Sequence, residues 1–403
     1  MKTLSKKLRC MTAIVATAAI TAPSFASADA TIGVLVPLTG ELGEFGAIVA
    51  NAVELGVNEI NAAGGTSCGM LRTVVANTAG SAEKGIREAT NMIETEGAVA
   101  IVGPTSGVMV ALVDLAKRRK TPIISPYAGT ITLNDLGGDY VYRTVGSDLG
   151  DGAASGLWLG EKGYKSVAML VQNEESTISP AQVARGALEE AGIEITDYVI
   201  YNPGQPSYQA ELISVLAHNP DAIYLAGGQE SGVTVLKEAA VGGFEGEWLL
   251  TADLAVPQVF EAVDPSILNG RAYVELAEPD NSLPAYQAFA EKMLAETGKA
   301  PGPFAANSYD MAMLVALALE GSEDCSGEAV NSAIRDVTEG GELVSDFATA
   351  RDLLAAGADI DFEGASGPLT MDESGTPAGS FLILRAEGGA WVSEKFYPSS
   401  AFE

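Results

Sequence analysis

Apolar runs of strand length alternate with helix-like stretches along the first part of the chain. Strands are predicted over residues 31–36, 71–76, 98–102, 122–124 and 140–144. Helices are predicted between them, over residues 46–61 and 81–96 and again after residue 107. In the helix at residues 81–96, the predicted inward face consists of Ile86, Ala89 and Ile93. A repeated strand and helix is typical of a parallel sheet with crossover helices.

The same alternation starts again after residue 148. Further strands are predicted over residues 167–171, 193–200, 222–226, 248–251 and 272–276, with helices over 179–191, 208–218 and 231–240. Two alternating blocks in succession indicate two doubly wound lobes. A third block is almost entirely helical and is expected to pack on a sheet formed earlier, with helices over residues 283–297, 304–320, 327–337 and 346–356. A hairpin-like pair follows at residues 381–384 and 391–392.

Two loops rich in Gly, Ser and Thr follow neighbouring strands of the first block. The first contains Thr105, Ser106 and Gly107, and the second runs from residue 125 to residue 130. Open α/β sheets bind ligands at the carboxyl ends of their strands. A helix N-terminus stands behind the first loop, and such an end favours an anion without Lys or Arg. We therefore predict half of a binding site for a small carboxylate.

Composition narrows the class of protein. The chain has 403 residues, of which 47% are hydrophobic and 19% charged, so it can bury large cores. Residues 1–28 join a basic end to a short apolar run and an Ala-Ser-Ala cleavage pattern, which predicts a signal peptide cut after Ala28 and export to the periplasm. The net charge is −30, and four basic residues lie in that segment, so the remainder is more acidic still. Such charge excludes nucleic acid and anionic membrane surfaces as partners.

Catalytic and metal-binding arrangements are scarce in the sequence. His218 is the one histidine, and no nucleophile elbow accompanies it. Residues 359–364 resemble the start of a calcium loop, but Thr370 stands where a bidentate Glu is needed. We therefore predict no metal, no cofactor and no enzymatic activity, and keep a secreted hydrolase as the alternative from another class.

Polar side chains also follow two strands of the second block. Asp253 comes after the strand at 248–251, and Gln229 follows Gly227 and Gly228. A lone Asp in such a place is often a helix cap. Because Asp253 lies at a carboxyl strand end of the second lobe, it is also a candidate partner for a ligand ammonium.

Several motifs together resemble one known family, the periplasmic substrate-binding proteins of ABC importers with the type I fold, in the branched-chain amino-acid binding group. The motifs cover nearly the whole chain after residue 28 and occur at residues 32–40, 61–65, 103–104, 124–126, 142–144, 306–310 and 364–369. The resemblance implies an α/β fold of two Rossmann-like lobes joined by three crossovers. It assigns residues 29–147 plus 277–379 to the N-terminal lobe and residues 148–276 plus 380–403 to the C-terminal lobe.

The resemblance also implies which residues contact the ligand. The serine that takes the ligand carboxylate corresponds to Ser106, the first-loop aromatic to Phe45, and the acid that meets the α-ammonium to Asp253. Further backbone and hydroxyl contacts correspond to Tyr127, Ala128, Gly129 and Thr130. Two family tyrosines are replaced, one near Ser176 and one by Gln229, and the usual threonine after Ala128 is Gly129. These departures leave leucine-like specificity open.

The function implied is a periplasmic receptor that captures a small carboxylate, above all an amino acid, between its lobes. It would deliver this ligand, as a monomer, to the membrane permease of an ABC importer. The alternative within the same fold is capture of an amide, urea or aromatic acid, for uptake or for sensing.

Two cysteines follow the signal segment, Cys68 and Cys325. In an oxidising compartment such a pair is more often bonded than free. The resemblance brings both of the preceding helices to the N-terminal lobe, so we predict a disulfide between them.

Overall fold

The first alternating block forms a parallel sheet. In the computed structural model, which describes residues 29–322 and 324–402, its strands are β1 (Ala30–Val36), β2 (Leu71–Asn77), β3 (Ala98–Val102), β4 (Ile123–Ser125) and β5 (Val141–Arg143). They are joined by helices α1 (Gly43–Ala62), α2 (Ala82–Glu94), α3 (Ser106–Arg119) and α4 (Thr132–Leu136). The strand order is β2-β1-β3-β4-β5, with parallel pairing throughout. The predicted signal segment lies outside the described residues.

The second block forms another sheet. Its strands are β6 (Ser166–Gln172), β7 (Glu194–Tyr201), β8 (Ala222–Ala226), β9 (Glu247–Leu250) and β10 (Ala272–Ala277). The helices between them are α5 (Asp148–Lys162), α6 (Glu175–Glu190), α7 (Gln209–Leu216), α8 (Gln229–Val241), α9 (Gln258–Ala262) and α10 (Pro265–Leu268), with a 3-10 turn at Ala252–Leu254. Ala277, assigned from the sequence to the N-terminal lobe, is therefore the last residue of a strand in the second sheet.

The third block returns to the first lobe. Its elements are α11 (Pro284–Thr297), α12 (Ala305–Glu320), α13 (Gly327–Ala333), β11 (Glu342–Val344), α14 (Phe347–Ala355), β12 (Ile360–Gly364) and β13 (Gly367–Pro368). Helix α12 is buried from Ala305 to Leu319 and packs closely on α1, where a Cβ added to Gly56 would lie 2.9 Å from the Cβ of Ala312. The small sheet β11-β12-β13 was not predicted, and the calcium-like residues 359–364 fall largely within its strand β12.

The chain then crosses a third time and completes the second sheet. Strands β14 (Phe381–Glu387) and β15 (Ala390–Tyr397) form an antiparallel hairpin on β10, and a 3-10 turn follows at Ser399–Ala401. The order of this sheet is β15-β14-β10-β9-β8-β6-β7. The chain therefore passes between the two sheets after β5, after β10 and before β14, as the predicted fold requires.

Each sheet has its own apolar core. One cluster of buried side chains surrounds the second sheet, and two others cover the two faces of the first. The prediction that Ile86 faces inward was wrong: the residue is 41% exposed, because the buried face of α2 runs through Gly85, Ala89 and Met92.

A disulfide joins Cys68 to Cys325, with their Cα atoms 5.6 Å apart. It links the loop after α1 to the loop after α12, so both ends lie in the first lobe. Within the described part of the chain, no helix is long and apolar enough to cross a membrane.

Candidate functional site

A small cavity of about 60 Å³ lies where the two lobes meet. Side chains and backbone from both lobes line it: Leu42, Phe45, Thr105, Ser106, Tyr127, Gly129, Val145, Gly146, Asp148, Asp151, Ser176, Pro180, Thr251, Ala252, Asp253, Ala277, Phe304 and Phe381. The cavity therefore brings together the carboxyl-end loops of β3, β4 and β9, which are far apart in sequence. This is the position at which open α/β sheets bind ligands.

The first-lobe wall offers dipoles and hydroxyls. Ser106 begins α3 and is 1% exposed, and Thr105 precedes it in an extended conformation at the N-cap. The N-terminus of a helix carries partial positive charge and unpaired backbone N–H groups. This wall is therefore suited to an anionic group such as a carboxylate.

An aromatic cluster forms the apolar side of the cavity. The ring of Phe304 meets the ring of Phe45 edge to face at 5.7 Å and that of Tyr127 at 5.9 Å between centroids. The Tyr127 hydroxyl donates a hydrogen bond to the Gly103 carbonyl, which directs the ring rather than the hydroxyl to the cavity. Such a surface suits the hydrocarbon part of a ligand.

The loop after β4 passes very close to the second lobe at Gly129. A Cβ added to Gly129 would lie 1.9 Å from Oδ1 of Asp148, so no larger residue fits without movement. The Asp148 backbone N–H also donates to the Gly129 carbonyl at 2.8 Å. The threonine that the family usually has at this position would clash with Asp148 here.

The second-lobe wall carries carboxyl groups. Asp253 lies in the 3-10 turn after β9, and Asp148 and Asp151 lie in the first turn of α5. Burial, together with the charges of Glu41 and Asp151, raises the pKa of Asp253 to about 7. Burial also raises the pKa of Asp151 to about 6 and that of Asp148 well above its usual range. A cation bound at this wall would favour the ionised forms of these three carboxyl groups.

Seven of the predicted contact residues line the cavity: Phe45, Thr105, Ser106, Tyr127, Gly129, Ser176 and Asp253. The other four do not, each for a physical reason. The Ala128 backbone N–H donates to Ser125 Oγ at 2.9 Å, and the Thr130 hydroxyl donates to Glu175 Oε1 at 2.6 Å, so both face away. Gly107 lines a second cavity, which adjoins the first and shares Thr105 and Asp253 with it. Gln229 begins α8, and its backbone N–H donates to the Glu41 carbonyl at 3.1 Å.

Sequence reasoning missed Asp148 and Asp151 as lining residues. Asp148 marks the boundary between the two predicted lobes, and Asp151 was not singled out, because acidic residues at such a place commonly cap a helix. Their spacing of three residues at a helix start puts both on one face. Two acidic residues on one helix face beside a predicted crossover were the sequence signal that could have identified them as lining residues.

Hydrogen bonds cross between the lobes on two sides of the cavity. Glu41, before α1, accepts hydrogen bonds at Oε2 from the backbone N–H groups of Glu230 and Ser231, at 2.9 and 3.1 Å, in the first turn of α8. On the other side, Glu175 Oε1 accepts from the hydroxyls of Thr130 and Thr132. The lobes are therefore in contact around the cavity, in a closed arrangement.

The described residues contain no group of three or more His, Cys, Asp or Glu side chains placed to hold a metal ion. His218 is exposed beyond the end of α7 and does not line the cavity. The lining side chains can accept and donate hydrogen bonds and enclose an apolar group. Such groups can hold a small molecule by non-covalent contacts.

Comparisons with known proteins agree with this architecture. A family model described as "Periplasmic binding protein" matches residues 29–390. The substrate-binding protein BasB of a chemotactic signal transduction system in Halobacterium salinarum is 26% identical over 92% of this chain and 90% of its own. A Leu/Ile/Val-binding protein of Rhizobium johnstonii is also 26% identical, over 82% of this chain and 90% of its own. The crystal structure of a leucine-binding protein from Thermotoga maritima superposes with a TM-score of 0.79 at 22% identity, covering 91% of this chain and 98% of that one, which confirms the predicted fold.

Proposed function

Because this chain belongs to the periplasmic binding protein family, we propose that it is a receptor that captures an amino acid between its two lobes. One observation carries the proposal: Ser106 from the first lobe and Asp253 from the second line the same cavity. A hydroxyl beside a helix N-terminus suits a carboxylate, and a carboxylate suits an ammonium. An α-amino acid presents both groups on one carbon atom.

The relatives support the class of ligand. A Leu/Ile/Val-binding protein and a leucine-binding protein are among the proteins similar to this chain. The aromatic cluster around Phe304 offers an apolar surface for the side chain of such a ligand. We place the carboxylate at Ser106 and the α-ammonium at Asp253.

The proposal includes closure and delivery. A ligand touched by both lobes favours the closed state in which both halves reach it. After removal of residues 1–28, the protein acts in the periplasm as a monomer and hands its ligand to the membrane permease of an ABC importer. It returns the ligand unchanged and catalyses no reaction.

A thermal-shift screen of residues 29–403 tests the ligand class. The panel contains α-amino acids, their amides, urea and aromatic acids. We expect the midpoint of unfolding to rise with amino acids, because a ligand that binds only the folded state stabilises it. A rise with uncharged amides or aromatic acids alone would contradict the zwitterion assignment. Chromatography of the ligand after incubation should recover it intact.

A role in sensing is the second candidate. The observation that favours it is the similarity to a substrate-binding protein of a chemotactic signal transduction system, which covers 92% of this chain. Deleting the gene should abolish uptake of the labelled ligand if the protein serves a permease. Uptake that survives the deletion, with loss of movement toward the ligand, would favour sensing.

A further inference from the structure

The second-lobe wall holds more carboxyl groups than one ammonium requires. Asp148 and Asp151 line the cavity in addition to Asp253, and no Lys or Arg is found among the lining residues of the described chain. A ligand with a single ammonium bound to Asp253 would leave the other two carboxyl groups without a cation.

Both carboxyl groups also have an unsatisfied oxygen. Oδ2 of Asp148 and Oδ1 of Asp151 are buried and, within the described residues, have no hydrogen-bond partner. The Asp148 residue as a whole is 8% exposed. Buried polar atoms in folded proteins nearly always have a partner, and an unpaired one is costly. Among the described residues, a protonated Glu275 is placed to donate to Asp151, so it is the Asp148 oxygen above all that points to a donor supplied by a ligand.

The neighbouring cation Arg143 does not fill this role. Its guanidinium N–H groups donate to other acceptors: the carbonyls of Gly129 and Thr130 at 3.0 and 3.2 Å, the Asn134 amide oxygen at 2.6 Å, and the hydroxyls of Thr376 and Ser374 at 2.7 and 3.4 Å. Arg143 thus braces the loop after β4 and the third crossover. It lowers the pKa of Asp148 only through its charge.

The groups that face this pair are mostly acidic. Asp253 and Glu175 approach from other elements, and Glu275 on β10 lies beneath, 1% exposed. Burial raises the pKa of Glu275, and the charge of Asp151, a hydrogen bond to Asp151 and the charge of Asp148 raise it further. Tyr224 on β8 is also buried nearby, and its pKa is raised. Apart from the charge of Arg143 and a hydrogen bond from Ser179, what surrounds Asp148 favours its protonated form until a cation arrives.

We propose that Asp148 and Asp151 form a second cation subsite, so that the preferred ligand carries one carboxylate and two cationic groups, as a diamino acid does. The inference rests on the proposed function and deepens it. The α-ammonium meets Asp253, and the side-chain ammonium donates to the unpaired oxygens of the α5 pair.

Matched ligand pairs test the subsite on the unaltered protein. Norleucine and ornithine differ only in a terminal methyl or ammonium group, and so do 2-aminoheptanoate and lysine. In calorimetric titrations we expect the diamino member of at least one pair to bind tighter by about tenfold or more, the effect of one hydrogen bond between charged groups. This preference should grow as the pH rises through about 6, because Asp151 then loses its proton.

A substitution tests whether the preference for the diamino ligand arises at Asp148 and Asp151. In Asp151→Asn the preference for the diamino ligand should fall by about tenfold, since one charged partner is lost. The matched control is Asp114→Asn, which removes the same charge from an exposed side chain of α3 and should keep the preference.

The outcomes separate this inference from the proposed function. Tighter binding of the methyl member in both pairs overturns the subsite and leaves the amino-acid receptor intact. Binding of the diamine cadaverine, with no binding of any carboxylate, overturns the receptor for amino acids but supports the subsite. Binding of no ligand in the panel overturns both.

Discussion

The two walls of the cavity recognise charge by opposite means. The first-lobe wall contains the helix N-terminus at Ser106 and the backbone around Gly129, and none of its lining residues is charged. The second-lobe wall contains three carboxyl groups, Asp148, Asp151 and Asp253, and burial raises the pKa of each. One wall thus offers fixed dipoles, and the other offers charges that are costly to bury alone.

The difference explains why a ligand should couple the lobes. Backbone dipoles are already in place and need no counter-charge, so the first lobe can hold a carboxylate while the cleft is open. Buried carboxylates are stabilised only when a cation is enclosed with them. A zwitterion satisfies both walls at once, but only when they face each other.

The largest expected effect is on the charged wall. Asp253→Asn should weaken binding of norleucine by roughly 2–5 kcal/mol, because the buried ammonium loses its ionic partner. Hexanoate has the same chain without the ammonium, so its affinity should change little. Calorimetry that gave equal losses for both ligands would remove Asp253 from the ammonium site.

The disulfide lets the two lobes be compared for stability. Replacing Cys68 and Cys325 by Ser should lower the free energy of unfolding by about 2–5 kcal/mol, because the bond closes a very long loop. All three tryptophans, Trp158, Trp248 and Trp391, lie in the second lobe.

In the double variant, the urea midpoint measured by circular dichroism, which reports on both lobes, should therefore fall further than the midpoint measured by tryptophan fluorescence, which reports on the second lobe. The protein with its disulfide intact is the control. Coincident shifts of both signals would show that the lobes unfold as one unit.

The dipolar wall should show a smaller effect with a different ligand pattern. Ser106→Ala removes a hydroxyl donor to the carboxylate, a loss of roughly 1.5–3 kcal/mol for a hydrogen bond to a charged group. Since norleucine and hexanoate share the carboxylate, both should weaken alike. Unchanged affinity for both would move the carboxylate elsewhere in the cavity.

The pH dependence follows from the raised pKa of Asp253. Its pKa is about 7 in the folded protein, against an ordinary value of 3.8, so the folded state binds the proton more tightly. For the empty protein this stabilising contribution is present below about pH 4 and is lost as the pH rises through about 7. Affinity for a ligand ammonium has the opposite pH dependence. It should fall as the pH drops below 7, because Asp253 then becomes protonated and loses its negative charge.

Parallel titrations of norleucine and hexanoate over this range separate the two effects. Between pH 7 and about pH 6, where the carboxyl group of hexanoate itself stays ionised, the affinity of hexanoate should not fall. A loss common to both ligands would implicate a group other than Asp253.

The smallest effect concerns the contact between the lobes. Glu41→Ala removes the side chain that accepts from the first turn of α8, and a lost helix cap costs about 1 kcal/mol. Affinity should fall several-fold for every ligand, because only the closed state is weakened. Glu83→Ala, at an exposed position of α2, is the control and should leave affinity unchanged.

The sequence predicted the parts of the site that follow from local pattern. Apolar runs located the strands, and strand ends located Ser106 and Asp253. It did not predict Asp148 and Asp151, because acidic residues at a helix start are usually caps and only the crossover turns these two toward the cavity. Thr130 was expected in the cavity but faces Glu175, a contact with the other lobe that no local pattern reveals.

The most direct test of the central claim, one ligand bridging two lobes, is small-angle X-ray scattering of residues 29–403 with and without saturating ligand. If Ser106 and Asp253 grip opposite ends of one zwitterion, the empty protein samples open states and its radius of gyration exceeds that of the complex. Identical scattering curves, with binding confirmed in the same samples, would contradict the account.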